Sequence, residues 1–285
     1  MLHPDIPGHL RPLSSLRQVA RTWFVLLALL ATLAAAFETR LLLAAMACAP
    51  AYLVYVPWKA WRRRQANRLL IEGVQRFQSG EHLAAERTLE EAARKDTGAR
   101  RAMAVYFLAL TKLRQGELAR AERLLEVVDH SGQLAAAPAL HEHLLDHVAL
   151  CLALQGRLGE AREAIRRGVV RRSKLAAELS ALPEAVILAR DGYLPAAARL
   201  LEARWRGVEA VGGWYAKMAR LVRAMALEAL EDPSRRPEAA GAIAGARPVA
   251  LEELVPLHVR WPEMGDFLRE KGLLPGGREL PLGRG

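Results

Sequence analysis

Hydrophobic and polar residues follow two different patterns along this chain, and the change comes near residue 60. Residues 22–37 and 41–58 are almost continuously apolar, and a helix over either segment would be roughly 25 Å long, close to the ~30 Å apolar core of a bilayer. From Gln65 onward, apolar residues recur with the period of amphipathic helices that pack against one another. The pattern predicts an all-α protein with an apolar N-terminal part and a longer helical part after it.

A short polar stretch, Glu38-Thr39-Arg40, separates the two apolar segments. Its two charges disfavour one continuous helix through both segments and favour a tight transmembrane helical hairpin. Basic residues flank this hairpin and aromatic residues lie near its ends, as expected at bilayer interfaces, so the positive-inside rule places both termini in the cytoplasm. The cations are Arg11, Arg17, Arg21, Lys59, Arg62, Arg63, Arg64 and Arg68, and the aromatic residues are Trp23, Tyr52, Tyr55, Trp58 and Trp61.

Two other interpretations of the apolar part stay open. Residues 17–36 have the composition of a signal peptide, with Ala34-Ala35-Ala36 as a cleavage site. Alternatively, the two segments form a buried hairpin inside a soluble fold, although nothing further along the chain is apolar enough to cover them.

A repeat occurs four times after Gln65. Each copy has a small residue, a glycine seven positions later, an alanine five positions after the glycine, and Leu or Ile after four more. The glycine predicts a turn with positive φ between two helices, and the small residues let the paired helices cross closely. Stacked pairs bury apolar faces that one pair leaves exposed. The small residues, glycines and alanines are Gly73, Gly80, Ala85, Ala109, Gly116, Ala121, Ala149, Gly156, Ala161, Ala185, Gly192 and Ala197.

This spacing resembles that of the tetratricopeptide repeat (TPR) family over residues 66–206. The copies depart from the family pattern in two ways. The usual late alanine is Ala92 in the first copy but Val128, Gly168 and Arg204 in the others, and the closing proline is missing. The resemblance implies a right-handed α-solenoid of about four repeats, whose concave face binds a segment or helix of another protein.

Together, these patterns predict five parts. They are a cytoplasmic tail at 1–21, a two-helix transmembrane hairpin at 22–58, a TPR-like solenoid at 59–210, a degenerate repeat with C-terminal capping helices at 211–274, and a flexible tail at 275–285.

Composition is consistent with this organisation. The 285 residues carry 41 Lys+Arg against 31 Asp+Glu, a formal charge of +10 that is often paired with Glu on the same predicted helix. We interpret this charge first as a property of a membrane-proximal surface. Cys48 and Cys151 lie in different predicted parts, so the sequence indicates no disulfide framework and suits a reducing compartment.

Three stretches are candidate sites. Trp205, Trp214 and Tyr215 surround Gly212-Gly213 and predict either a partner-binding groove or a wedge between helices. A basic block either complements a helix dipole or binds anionic lipid or an acidic partner. His143 and His147 share a helix face, as metal ligands do, but no further ligand lies nearby in sequence, and an exposed helix start is the alternative. The basic block consists of Arg166, Arg167, Arg171, Arg172 and Lys174.

No Gly-rich phosphate loop, serine nucleophile elbow or Cys–His pair occurs, so we expect no catalytic residue, cofactor, metal or small-molecule substrate. Aromatic residues do not interleave with the charges, so nucleic acid is not an expected ligand. The sequence predicts a scaffold, anchored in the inner membrane of a bacterial-type cell, that binds a protein partner on the cytoplasmic side. The alternative is a regulatory subunit whose basic surface binds anionic lipid or nucleic acid.

Overall fold

The computed structural model describes residues 23–29, 31–32, 39–169 and 180–275. Every regular element within these ranges is helical, without strands, which confirms the predicted all-α class. Residues 23–29 and 31–32 are helical and precede the labelled helices. The α-helices are α1 (Thr39–Gln78), α2 (His82–Lys95), α3 (Ala99–Arg114), α4 (Leu118–Ser131), α5 (Pro138–Leu154), α6 (Leu158–Val169), α7 (Ala181–Arg190), α8 (Leu194–Ala203), α9 (Trp205–Val211), α10 (Gly213–Glu228), α11 (Arg236–Ala246), α12 (Leu251–His258) and α13 (Pro262–Glu270), with short 3-10 helices at Gln133–Ala136 and Pro233–Arg235.

The chain divides into two compact units, Met1–Arg62 and Arg63–Gly285. In the first unit the prediction of a turn at Glu38-Thr39-Arg40 is wrong where the structure describes it, because Thr39 and Arg40 are already helical and begin α1. The predicted helix end at Trp58 is also wrong, since α1 continues to Gln78. Residues 59–64 contain neither Gly nor Pro, so nothing in the backbone stops the helix there.

The transmembrane interpretation of residues 22–58 finds no support in the structure. Within the ranges described above, no helix combines the length and the apolar character needed to cross a membrane. The predicted tail at 1–21 lies outside those ranges, as do the turn residue Glu38 and residues 276–285 of the predicted flexible tail.

In the second unit, α1 to α8 form successive helix pairs with a glycine turn inside each pair. Gly80, Gly116, Gly156 and Gly192 have φ between 78° and 85°. Each turn has the same two hydrogen bonds: at the first, the N–H of Glu81 donates to the carbonyl of Arg76 and the N–H of Gly80 donates to that of Phe77. These bonds satisfy the last carbonyls of the first helix, which is why a glycine with positive φ ends it. This succession of helix pairs joined by glycine turns fits an α-solenoid at a coarse level.

The small residues of the repeat lie where the helices cross. The seven repeat alanines are fully buried, with no exposed surface. At Gly73, a Cβ atom would lie 2.7 Å from the Leu89 side chain, so α1 and α2 approach more closely than any larger residue permits. The small residues that recur at fixed spacing in the sequence are therefore the ones at which the paired helices touch. These alanines are Ala85, Ala109, Ala121, Ala149, Ala161, Ala185 and Ala197.

The C-terminal helices return to the repeats. Helix α10 packs against α8 and α11, and α12 packs against α3 and α10. The tightest approach of α12 is at the second glycine turn, where a Cβ atom on Gly116 would lie 2.4 Å from Val255 Cγ1. Trp261, between α12 and α13, is buried.

A buried lysine joins the first two pairs. The Lys112 side chain is only 3% exposed, and its Nζ lies 2.5 Å from Glu86 and 2.7 Å from Glu117. Burial alone raises the pKa of Glu86, but hydrogen bonds from Lys112 and Gln115 and the charges of Lys112 and Arg120 outweigh that effect and lower it. A carboxyl whose pKa is lowered on folding stabilises the protein above its unfolded pKa, and this contribution disappears as the pH falls through its folded pKa.

We expect Lys112→Met to lower the free energy of unfolding by about 2 kcal/mol at pH 7, because it leaves the Glu86 carboxylate without its buried cation. The loss should shrink as the pH falls below the usual glutamate range and through the lowered pKa of Glu86, where its carboxyl is protonated in the wild type as well. Chemical denaturation of both proteins from pH 7 down to about pH 2.5 measures this. An equal loss at every pH would contradict the role of Glu86.

Candidate binding cleft

A cleft of about 1150 Å³ opens in the second unit, among residues from separate parts of the chain. The turn before α2 and the start of α2 form one side, with Leu83 72% exposed at the mouth. Arg114, at the end of α3, and the start of α10 form the base, and the segment leading into α12 forms the far side. The described lining residues are Gln78, Ser79, Gly80, Glu81, His82, Leu83, Ala84, Arg114, Gly213, Trp214, Lys217, Pro248, Val249, Ala250, Glu252 and Glu253.

Arg114 is the central cation of the cleft. Its Nη1 donates to the Phe77 carbonyl at 3.1 Å, and its guanidinium lies 3.9 Å from the Phe77 ring centroid and 5.8 Å from that of Trp214. Burial lowers the pKa of Arg114 to about 10, while the charge of Glu253 opposes that change, so the group stays charged at neutral pH. No carboxylate within the described ranges forms an ion pair with it. Its remaining N–H groups can therefore donate to an acceptor on a ligand.

Trp214 and Lys217 hold the far side of the cleft in place. The indole Nε1 of Trp214 donates to the Glu253 carbonyl at 3.0 Å, and Lys217 Nζ lies 2.8 Å and 3.1 Å from the two Glu253 carboxylate oxygens. The Glu253 carboxylate also accepts from the N–H of Ala250 at 3.0 Å. Helix α10 thus fixes the start of α12 through both the backbone and the side chain of one residue.

His82 contributes a neutral polar edge. Its ring centroid lies 6.4 Å from that of Phe77, and burial together with the charge of Arg114 lowers its pKa. His82 Nδ1 is buried and has no hydrogen-bond partner in the part of the chain that the structure describes. Ser79 Oγ lies 3.0 Å from the Arg76 carbonyl oxygen and 3.2 Å from Glu81 Oε1, two acceptors for its single proton, so it is not paired with His82 as a nucleophile would be with its base.

The three aromatic residues for which the sequence leaves a groove or a wedge open are not together in the cleft. Only Trp214 lines it. Tyr215 is buried, and its hydroxyl accepts a hydrogen bond from the N–H of Leu182 at 2.9 Å. Trp205 lies beneath the guanidinium groups of Arg220 and Arg223, whose centres are 5.4 Å and 5.3 Å from its ring. Trp205 and Tyr215 therefore make contacts between helices, which corresponds to the wedge alternative.

The basic block is partly neutralised by acidic neighbours. Arg166 forms an ion pair with Glu163 on the same helix, and Arg167 reaches Asp129 at 2.7 Å. Arg171, Arg172 and Lys174 lie outside the described residues. The pairs reduce the charge that the two described arginines offer to a ligand.

The histidine stretch is internal packing. His147 Nδ1 lies 2.8 Å from the His143 carbonyl and 3.1 Å from the Tyr106 hydroxyl, and burial lowers its pKa. His143 Nδ1 lies 3.9 Å from an oxygen of Asp146. No group of three or more metal-ligating side chains occurs within the described ranges. Burial raises the pKa of the Cys151 thiol, which is also fully enclosed.

Sequence reasoning missed Arg114, His82, Lys217 and Glu253. One signal was present, because an arginine stands two residues before the glycine in the second and fourth copies. Both arginines donate to carbonyls at the end of the preceding odd-numbered helix: Arg114 to Phe77, and Arg190 to Ala153 and Leu154.

Each also lies against a tryptophan from the C-terminal helices. The Arg190 guanidinium is 5.6 Å from the Trp261 ring centroid, as that of Arg114 is 5.8 Å from Trp214. Comparison of the chain with protein-family models, with curated proteins and with solved structures gave no match.

Proposed function

We propose that this protein is a TPR-like scaffold that binds an extended segment of another protein in the cleft around Arg114 and Trp214. The observation that carries the proposal is the pairing of a half-buried tryptophan that lines the cleft with a cation that lacks a carboxylate partner among the described residues. Trp and Arg are enriched among the residues that dominate protein interfaces. A cleft of about 1150 Å³ also has room for several peptide residues.

The repeat pattern supports the scaffold part of the proposal. Four glycine turns with positive φ and seven fully buried alanines are consistent with stacked helix pairs of the TPR type, wound as a right-handed solenoid. Such stacks present a long surface assembled from many short elements, which suits an extended ligand. The cleft side chains are held by their neighbours rather than arranged as an acid–base pair, so the proposed activity is binding and not catalysis.

The proposed place of action is the cytoplasmic face of a bacterial inner membrane. The support is in the sequence: two apolar segments with arginines before the first and after the second. A scaffold in that place would hold its partner beside the membrane and localise or assemble a complex there. The alternative is a regulatory subunit whose basic surface binds anionic lipid or nucleic acid, and it loses support at the two described arginines of the basic block, since Arg166 and Arg167 are ion-paired.

Site-specific photo-crosslinking tests the binding of a protein segment. A photoreactive phenylalanine analogue replaces Leu83, which is 72% exposed at the mouth of the cleft, and in a control protein it replaces Val127, which is 62% exposed outside it. We expect Leu83 to crosslink to one reproducible peptide segment of a partner, which mass spectrometry identifies. Val127 should not give that adduct. Identical adducts from both positions would contradict a binding site in the cleft.

A further inference from the structure

An unusually apolar surface lies on the first unit. Seven large hydrophobic side chains between Tyr52 and Trp61 are between 42% and 71% exposed. Five of them are consecutive, from Tyr52 to Val56, so they face every direction around the helix rather than one side. Isolated exposed hydrophobic residues are ordinary on a protein surface, but a contiguous patch marks a surface that something else covers. The exposed residues are Tyr52, Leu53, Val54, Tyr55, Val56, Trp58 and Trp61.

Cations lie directly on the aromatic residues at the C-terminal end of this patch. Lys59 Nζ is 5.3 Å from the Tyr55 ring centroid, and the Arg62 guanidinium is 5.2 Å from that of Trp58. Each pair is separated by four residues, so the cation lies one helical turn beyond its ring. Along this single helix, apolar residues are therefore followed by aromatic residues and then by cations.

No acidic residue interrupts this surface in the sequence. The chain has no Asp or Glu between Arg40 and Ile71, and the first one after the patch is Glu72. Lys59 and Arg62 consequently have no carboxylate within about two helical turns on either side along their own helix.

We propose that Tyr52–Arg62 is a lipid-binding surface that recognises anionic phospholipid. In this arrangement the apolar side chains enter the acyl region, Tyr55, Trp58 and Trp61 lie at headgroup depth, and Lys59 and Arg62 pair with headgroup phosphates. The order of apolar, aromatic and basic residues along the helix matches the order of acyl chains, interface and headgroup phosphates from the centre of a bilayer outward. The inference rests on the proposed membrane location and adds to it the lipid chemistry that this surface selects.

Charge complementarity favours a bilayer over a second copy of the chain. A second copy would bring the same Lys59 and Arg62 with no acidic residue on this stretch of helix, so no arrangement of two patches gives these cations a carboxylate, and a parallel arrangement opposes like charges. An anionic membrane surface attracts these cations instead.

Flotation of the full chain with preformed vesicles tests the proposal. One set contains phosphatidylcholine alone and the other contains phosphatidylcholine with phosphatidylglycerol. We expect preferential flotation with the anionic vesicles, and Lys59→Gln with Arg62→Gln should lower the partition coefficient about 30-fold, since each cation near such a surface contributes roughly fivefold. Trp58→Ser with Trp61→Ser should reduce flotation with both vesicle types, because the aromatic side chains contribute apolar area rather than charge.

Matched controls remove equivalent groups elsewhere. Arg94→Gln with Arg269→Gln deletes two cations whose side chains are 76% and 45% exposed and which belong to no candidate site, and Val127→Ser with Tyr193→Ser deletes two apolar side chains that are each 62% exposed. Neither control should change flotation by more than about twofold, because neither pair belongs to the lipid surface.

The outcomes separate this inference from the proposed function. Equal flotation with both vesicle types, unchanged by the Lys59 and Arg62 substitutions, would overturn anionic headgroup recognition while leaving a membrane location intact. A vesicle-free dimer in analytical ultracentrifugation that Trp58→Ser with Trp61→Ser dissociates would assign the patch to a second copy. Neither result bears on the cleft, which the crosslinks from Leu83 test separately.

Discussion

Replacing Gly116 with alanine should lower the free energy of unfolding by about 3 kcal/mol, one of the two largest effects that we expect from a single substitution in this chain. Two causes add. Gly116 has φ +78°, a conformation that costs a residue with a Cβ atom about 1 kcal/mol after the entropic gain of alanine in the unfolded chain. The new Cβ atom would also lie 2.4 Å from Val255 Cγ1, and such overpacking costs about 2 kcal/mol.

Gly192→Ala is the matched control. Gly192 occupies the same position in the fourth copy and has φ +85°, but no atom lies within 4 Å of a Cβ built there. Its substitution should therefore cost only the conformational part, about 1 kcal/mol. In a double-mutant cycle with Val255→Ala, Gly116→Ala should lose most of its excess cost, as measured by chemical denaturation. Equal costs for the two glycine substitutions would contradict close packing of α12 on this turn.

The same contact matters for the cleft. Val255 lies two residues after Glu253, which receives hydrogen bonds from Trp214 and Lys217. If α12 is pushed away from Gly116, the far side of the cleft moves with it. Gly116→Ala should accordingly weaken segment binding as well as folding, whereas Gly192→Ala should affect folding only.

The helix pairs were predictable because their determinants are local. A helix end requires a glycine and a close helix crossing requires a small residue, and in every copy of the repeat these residues occur at the same positions. The turn predicted at Gly80 and the close helix crossing predicted at Ala85 both depend only on residues of one helix pair. All four glycines have positive φ and all seven alanines are buried, as the physics of the spacing requires.

The N-terminal helix was mispredicted for an equally local reason. The charges at Glu38 and Arg40 predict a turn, yet Arg40, the one of the two that the structure describes, is helical, because a charged residue does not break a helix as glycine or proline does. Pro50 and Pro57, which do disfavour a helix interior, both lie inside α1. Propensity is a weak guide where the surroundings of a helix, rather than its own sequence, decide its length.

The cleft was not predictable because its parts are distant in sequence. Arg114 comes from the second pair, while Trp214 and Glu253 come from segments that are themselves 39 residues apart. Adjacent residues also have different surroundings. Trp214 lines the cleft, whereas Tyr215, about 100° further around the same helix, is buried beside Leu182. The sequence marks Trp205, Trp214 and Tyr215 as candidates together, but it has no means of predicting that only Trp214 lines the cleft.

Replacing Trp214 with alanine should weaken binding of the crosslinked segment, made as a synthetic peptide, about 30-fold, since interface tryptophans commonly contribute about 2 kcal/mol or more. The substitution removes an aromatic edge of the cleft and one of the two rings against Arg114, and it frees the Glu253 carbonyl from its indole donor. Isothermal titration calorimetry with the full chain measures the change.

Two variants identify what the tryptophan does. Trp205→Ala removes a partly buried tryptophan outside the cleft, so it should destabilise the fold comparably but change the peptide Kd by less than about threefold. Trp214→Phe keeps a smaller ring beside Arg114 and loses the N–H donor to Glu253 together with part of the aromatic area, so its Kd should lie between those of wild type and Trp214→Ala. Thermal unfolding of every variant checks that the proteins are folded at the titration temperature. If Trp205→Ala and Trp214→Ala weaken binding equally, the loss follows stability, and the segment does not contact Trp214.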